Sequence, residues 1–193
     1  MLTIDFIRHT SLKISGDICY GQTDIEVADT FDKEAERVKQ QLHEKRYDAI
    51  FTSPLSRASL LCEFCGYGDR AIKDPRIMER NFGIWELSVW SEVEEMLATH
   101  PEREQYFDHY GQVIPPGGET ISDLFERVAD FIDEVRMERY NRVAVFCHGG
   151  VINSARWLRG EMDIDRLFID VPDYGSVNPL QYAHLETRTV TLK

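Results

Sequence analysis

The stretch from Thr120 to Leu158 constrains the fold most tightly. Apolar residues at Ile121, Leu124, Phe125, Val128, Phe131, Ile132 and Val135 recur at helical spacing and predict a long amphipathic helix over about 120–138. Such a stripe needs a sheet to cover. Val143-Ala144-Val145-Phe146 then reads as a strand buried on both faces, and at Cys147-His148-Gly149-Gly150 the chain turns into a second helix ending near Leu158. A helix, a doubly buried strand and another helix in immediate succession imply a layered α/β domain with a largely parallel sheet.

The same alternation is visible upstream. Residues 2–7 alternate as a first strand and enter a polar loop over 8–24. Thr30 is a candidate cap for a helix with Phe31, Ala35, Val38 and Leu42 on one face, and Ala49-Ile50-Phe51 is a short buried strand. Ser53 as cap and Pro54 at the first helical position predict another helix to about Phe64. Ala71-Ile72-Lys73 is a weaker third strand, 75–85 is irregular, and 89–110 holds one or two short helices. Residues 167–171, 180–185 and 189–192 complete the sheet, with antiparallel strands at its C-terminal edge. The expected fold is thus a three-layer α/β/α arrangement, a single domain over 1–193, with 87–115 covering one end of the sheet.

Composition narrows the partners. The 193 residues carry 22 Lys and Arg against 34 Asp and Glu, a formal charge of −12 that disfavours generic nucleic-acid or anionic-membrane binding. The start MLTIDFIRHT has no basic leader and no long apolar stretch, so the cytoplasm is the expected location. Cys19, Cys62, Cys65 and Cys147 have no disulfide-framework spacing, and Cys62-x-x-Cys65 lies in an apolar helical run, which makes it a pair of buried thiols.

In open α/β sheets ligands sit beyond the carboxyl ends of the strands. There this sequence places Arg8-His9, Ser53 to Arg57, and His148-Gly149-Gly150. Two guanidiniums and two imidazoles beside a helix N-terminus make an anion site, because guanidinium forks and free amides match phosphate oxygens. Other phosphate machinery fails on its letters. Gly16 to Gly21 has P-loop spacing but continues Gln22-Thr23, the residue six after Cys147 is Asn153, and Asp163-Ile164-Asp165 follows no buried strand. His43, His100, His109 and His184 form no metal-ligand set, so no metal or cofactor is implied.

Five motifs, taken in order, carry a resemblance: Arg8-His9-Thr10, Ser53-Pro54-Leu55-Ser56-Arg57-Ala58, Glu79-Arg80-Asn81-Phe82-Gly83-Ile84-Trp85-Glu86, Pro116-Gly117-Gly118-Glu119-Thr120 and Cys147-His148-Gly149-Gly150-Val151-Ile152. Over residues 4 to about 155 the chain resembles the histidine phosphatase superfamily, the phosphoglycerate mutase-like proteins. Its loop Ile18-Cys19-Tyr20-Gly21-Gln22-Thr23-Asp24 is similar to the α-ribazole phosphatase branch of cobalamin synthesis. The resemblance implies that His9 attacks phosphorus and that Arg8, Arg57 and His148 bind the phosphoryl oxygens, helped by the Gly149 amide. It also implies Glu79 as the acid that protonates the leaving oxygen and the base that then activates water. Met78, Phe82 and Trp85 would supply an apolar flank for that carboxyl; the alternative is a plain ion pair with Arg76 or Arg80.

Two departures stand out. Thr10 replaces the usual Gly after Arg-His, and Ser15 stands where many members carry a phosphate-binding Asn, with Gln22 a candidate substitute. The aromatics Trp90, Tyr106, Phe107 and Tyr110 are candidates for stacking on a flat base, and the seven acids against one base over 86–110 disfavour bisphosphates. The expected function is phosphomonoester hydrolysis on a small-molecule substrate, α-ribazole 5′-phosphate first. The alternatives are a broad sugar- or nucleotide-phosphate phosphatase, then a mutase, then a non-catalytic phosphate-binding module.

Overall fold

The computed structural model describes residues 1–185. Five strands, β1 (Leu2–Arg8), β2 (Ala49–Thr52), β3 (Ile72–Lys73), β4 (Arg142–Cys147) and β5 (Val177–Tyr182), form one sheet in the order β3-β2-β4-β1-β5. All pair in parallel except β5, which runs antiparallel along β1. Side-chain alternation sorts the core into two faces. Leu2, Ile4, Phe6, Val143, Val145 and Cys147 pack beneath α4 (Ile121–Met137) and α5 (Gly149–Leu158). Ile7, Ala144 and Phe146 face α1 (Phe31–Leu42) and α2 (Ser56–Phe64). A separate apolar cluster holds Val93 and Leu97 of α3 (Trp90–Thr99) against Cys19, Phe82 and Trp85. The architecture is the expected three-layer α/β/α. Among the described residues no helix is long and apolar enough to cross a membrane. Cys62 and Cys65 are buried, and burial pushes both thiols up to about 12, so they are inert at neutral pH.

Three expectations need correction. Thr30 precedes α1, but its hydroxyl bonds Glu34 Oε1 at 2.6 Å and caps no amide. The helix after β2 opens at Ser56, with Leu55 extended, because Asp24 reaches across from the first loop and accepts from both Ser56 N and Ser56 Oγ at 2.9 and 2.8 Å. Residues 167–171 form turns, not a strand. Ile169 N and Asp170 N bond back to Arg166 O, and buried Asn153 Nδ2 donates to Leu167 O and Asp170 O, so no edge is left for a sheet. The expected segment 180–185 is strand only as far as Tyr182, the end of β5, which begins earlier at Val177, and 189–192 lies outside the described residues.

At the end of the sheet remote from the anion site, Asp5 is fully buried in β1. It accepts a bidentate pair from Arg142 (2.9 and 3.0 Å) and the Tyr47 hydroxyl (2.7 Å), with Lys45 at 3.3 Å. Burial alone would raise this carboxyl, but the hydrogen bonds from Arg142 and Tyr47 outweigh it and hold it below the usual carboxylate range. Its contribution to stability is therefore complete at neutral pH and fades as pH falls below about 3.9, the value in the unfolded chain, through the lower folded value. Asp5→Ala leaves three donors without their acceptor and is expected to cost about 3–5 kcal/mol in urea unfolding. A cost under about 1 kcal/mol would show the cluster to be solvated.

Candidate functional site

Three loops meet beyond the carboxyl ends of β1, β2 and β4. His9 follows β1, its ring 2% exposed, and Nδ1 lies 2.8 Å from the Thr10 carbonyl. A carbonyl only accepts, so the proton sits on Nδ1 and the Nε2 lone pair is available. Thr10 is accommodated without a positive φ, so the position does not require glycine. His148 caps α5 from the end of β4, its ring centroid 5.2 Å from that of His9, and its Nε2 is 2.8 Å from Ser53 Oγ. Burial, then the charge on Arg57, hold both imidazoles well below the ordinary histidine range.

Arg8 lies across the Tyr174 ring, 3.9 Å from its centroid, and bonds the Pro172 carbonyl. Arg57, fully buried in the first turn of α2, donates to Thr23 O (2.9 Å) and Gly21 O (2.6 Å). Even so, Arg8 Nε, Arg57 Nε and His148 Nδ1 are buried with no partner among the described residues. Unmatched buried polar groups are costly. Here three of them gather around one imidazole, which is the arrangement an oxyanion would satisfy.

Glu79 accepts from the amides of Arg80 (2.9 Å) and Gly150 (3.0 Å). Its carboxylate is thus gripped by backbone amides, it shares a cavity lining with Phe82 and Phe168, and neither Arg76 nor Arg80 pairs with it: Arg76 binds Asp74 and Glu134, while Arg80 donates to the carbonyls of Val113 and Glu119. The loop that carries Glu79 is tied down by Arg127, which donates to the carbonyls of Arg76, Met78 and Glu79 at 2.7–3.0 Å. Gln22 Nε2 also donates to Glu79 O, at 3.1 Å, which ties Gln22 to the loop that carries the acid. Ser15 is exposed and its hydroxyl bonds Asp17, which lies on the lining of the cavity above His9.

The two glycines of the His-Gly-Gly turn are there for contact. A Cβ on Gly149 would overlap Val171, and one on Gly150 would overlap Glu79 Oε1. Sequence reasoning placed Ser53 and Gly150 at the strand ends without assigning their partners, His148 and Glu79, and missed Arg127, whose partnership has no local signature.

A cavity of about 650 Å³ opens above His9, Arg8, Glu79 and Gly150, walled by Tyr20, Phe82, Trp90, Phe168, Val171 and Tyr174, with Asp17 and Glu94 also on its lining. Of the aromatics singled out in the covering segment, Trp90 reaches this cavity. Tyr106 packs on Trp85 and His100, Phe107 lines a different groove, and Tyr110 sits against Phe125 and Trp157. Tyr20 and Tyr174 were not anticipated; their hydroxyls meet at 2.7 Å across a sequence separation of 154. Because that bond is one interaction, Tyr20→Phe and Tyr174→Phe are expected to raise KM by similar small factors, with the double variant no worse than either single one. Additive effects in the cycle would mean that the two hydroxyls act separately.

Histidines held neutral in the native site also link folding to pH. Below about pH 6.5 the unfolded chain takes up protons that folded His9 and His148 refuse, so their stabilising contribution is full above that value and is lost as pH falls toward their folded values. His9→Asn should therefore lose less Tm than the wild type between about pH 7.5 and 5.5. An identical loss would place the titration elsewhere.

Comparison with known proteins agrees with this frame. The chain is 29% identical over 128 residues to phosphoserine phosphatase 1 of Hydrogenobacter thermophilus, a match covering 65% of this chain and 59% of that one. It thus spans less than two thirds of that relative. It is 30% identical over 153 residues to a 2,3-bisphosphoglycerate-dependent phosphoglycerate mutase of Mesorhizobium japonicum, covering 74% and 72%. The solved α-ribazole phosphatase of Shigella flexneri superposes with a TM-score of 0.77 at 20% identity, over 93% of this chain and 90% of the other, a likeness of fold. The sequence profile of the histidine phosphatase superfamily, branch 1, matches residues 4–193, and the chain belongs to that superfamily.

Proposed function

We propose that this protein is a phosphomonoesterase that works through a phosphohistidine on His9. The observation that carries this is the convergence of three unpartnered buried donors, Arg8 Nε, Arg57 Nε and His148 Nδ1, around an imidazole whose Nε2 lone pair is free. In the first step His9 Nε2 forms the bond to phosphorus as the ester P–O bond breaks. The arginines and His148 stabilise the charge on the equatorial oxygens. Glu79 gives its proton to the departing alkoxide and in the second step takes one from the attacking water, whose oxygen displaces His9. Gly150 N and Arg80 N orient that carboxyl from below.

The leading substrate is α-ribazole 5′-phosphate, a flat uncharged base on a ribose phosphate. A cavity of about 650 Å³ is roomy for a serine or glycerate leaving group, its walls carry Trp90, Phe82 and Tyr20, and Asp17 and Glu94 oppose a substrate carboxylate. The guanidinium of Arg80 also reaches this lining, but it is engaged by two backbone carbonyls. Phosphate release from α-ribazole 5′-phosphate, phosphoserine and 3-phosphoglycerate, in metal chelator, tests the assignment. The first is expected to have the highest kcat/KM, and a preference for phosphoserine would move the substrate class to that of the Hydrogenobacter relative. Trp90→Ala should raise KM for α-ribazole 5′-phosphate by about tenfold, the scale of one lost stacking contact, and leave turnover of phosphoserine, which has no ring to stack, unchanged. Equal losses on both would mean that Trp90 only supports the fold.

A further inference from the structure

The second histidine of the site has its ring held from behind. Ser53, fully buried at the end of β2, places Oγ 2.8 Å from His148 Nε2, and the Leu55 amide donates to the same Oγ at 3.3 Å. Counting donors and acceptors decides the direction of this short chain. If His148 Nε2 carried the proton, Ser53 Oγ would accept twice, its own buried hydroxyl proton would have no acceptor, and His148 Nδ1 would be a buried lone pair without a donor and with no hydrogen to offer an anion. If Ser53 donates to Nε2, the buried hydroxyl proton has its acceptor and the ring proton lies on Nδ1. Nδ1 is the one His148 nitrogen buried without a partner. It then becomes a donor where the site lacks an acceptor.

We infer that Ser53 is a positioning residue that locks His148 in its Nδ1–H tautomer, so that His148 serves the phosphoryl group as a neutral hydrogen-bond donor. The relay runs from Leu55 N–H to Ser53 Oγ, from Ser53 O–H to His148 Nε2, and from His148 Nδ1–H to a phosphoryl oxygen. It rests on the phosphomonoesterase proposal only in its last link. Which imidazole nitrogen carries hydrogen is set by the bond the other one makes, and here a residue 95 positions away makes it.

The direct test needs no variant of Ser53. In ¹⁵N-labelled wild-type protein, with His148 signals assigned by their loss in His148→Asn, Nε2 is expected to show a pyridine-type shift and Nδ1 a pyrrole-type shift. Inorganic phosphate should move the Nδ1 proton downfield. A pyrrole-type Nε2 overturns the inference whatever the enzyme's activity. Loss of activity in His9→Asn alongside that result would leave the phosphohistidine proposal standing.

Kinetics supply the second arm. Ser53→Ala is expected to lose about ten- to a hundredfold in kcat/KM on p-nitrophenyl phosphate, the range found when the partner orienting a functional imidazole is removed. Ser53→Thr, which keeps the hydroxyl, should recover most of it. A Ser53→Ala variant with wild-type kcat/KM, or a loss in Ser53→Ala that Thr does not repair while the ¹⁵N pattern is unchanged, would show that Ser53 only fills space.

Discussion

His9→Asn is expected to release no measurable phosphate from any of the substrates above. Removing the nucleophile from a hydrolase that forms a covalent intermediate typically costs about four orders of magnitude or more in kcat, and this site has no second candidate placed to substitute. Cys147 is buried and its thiol is pushed far up by burial, and His148 Nε2 is engaged by Ser53. Asn keeps the approximate volume and leaves Arg8, Arg57 and His148 unaltered, so inorganic phosphate should still protect the variant against thermal unfolding. Quenching the wild type during turnover on a ³²P-labelled ester should trap an acid-labile, base-stable phosphoryl group that His9→Asn lacks. Substantial turnover by His9→Asn, or a trapped phosphoryl group stable to acid, would sink the phosphohistidine mechanism.

Glu79→Gln has the second largest expected effect, and its size should depend on the leaving group. With an alkyl ester both steps need the carboxyl, first to protonate the departing oxygen and then to activate water, and kcat should fall by about 10²–10⁴-fold. p-Nitrophenolate leaves without a proton. On p-nitrophenyl phosphate the variant is therefore expected to form phosphohistidine at nearly the wild-type rate and to hydrolyse it slowly, giving a burst of nitrophenol equal to the enzyme present. The Arg80 amide bonds Oε1 and the Gly150 amide Oε2, so Gln keeps an acceptor for one of the two and turns its amide nitrogen toward the other. A uniform loss on both substrates with no burst would assign Glu79 to substrate binding and remove it from proton transfer.

Much of the site was legible because phosphate chemistry uses few side chains and the α/β pattern says where they gather. Arg8-His9, Arg57, and His148-Gly149 follow strands recognisable from their apolar runs, and the structure brings them to one end of the sheet. The expectations that failed were those that assigned a polar side chain its partner from nearby sequence. Thr30 and Ser53 read as helix caps; Thr30 bonds the Glu34 carboxylate and no amide, and Ser53, besides accepting from the Leu55 amide, meets a ring on a different strand end. Ser15 is singled out by its distance along the chain from His9, with Gln22 as its substitute, and the bond of Gln22 to the Glu79 carbonyl has no local signal. Among the aromatics of the covering segment, helical spacing could not separate the one that faces the cavity from those that face the core.

The sequence by itself determined most of the succession of strands and helices, the two-faced burial of β4, and the set of cationic and imidazole groups at the strand ends, because side-chain periodicity and turn chemistry act over a few residues. Only the tertiary structure decided which of these groups meet. Asp24 caps a helix 32 residues away, Gly150 grips Glu79 across 71, Ser53 orients His148 across 95, and the Tyr20 hydroxyl finds Tyr174 across 154. Such pairings come from loops converging at one edge of a sheet, where the strand order β3-β2-β4-β1-β5 makes neighbours of segments that are distant along the chain. No pattern of a few residues encodes that order; it emerges when the whole core is buried at once.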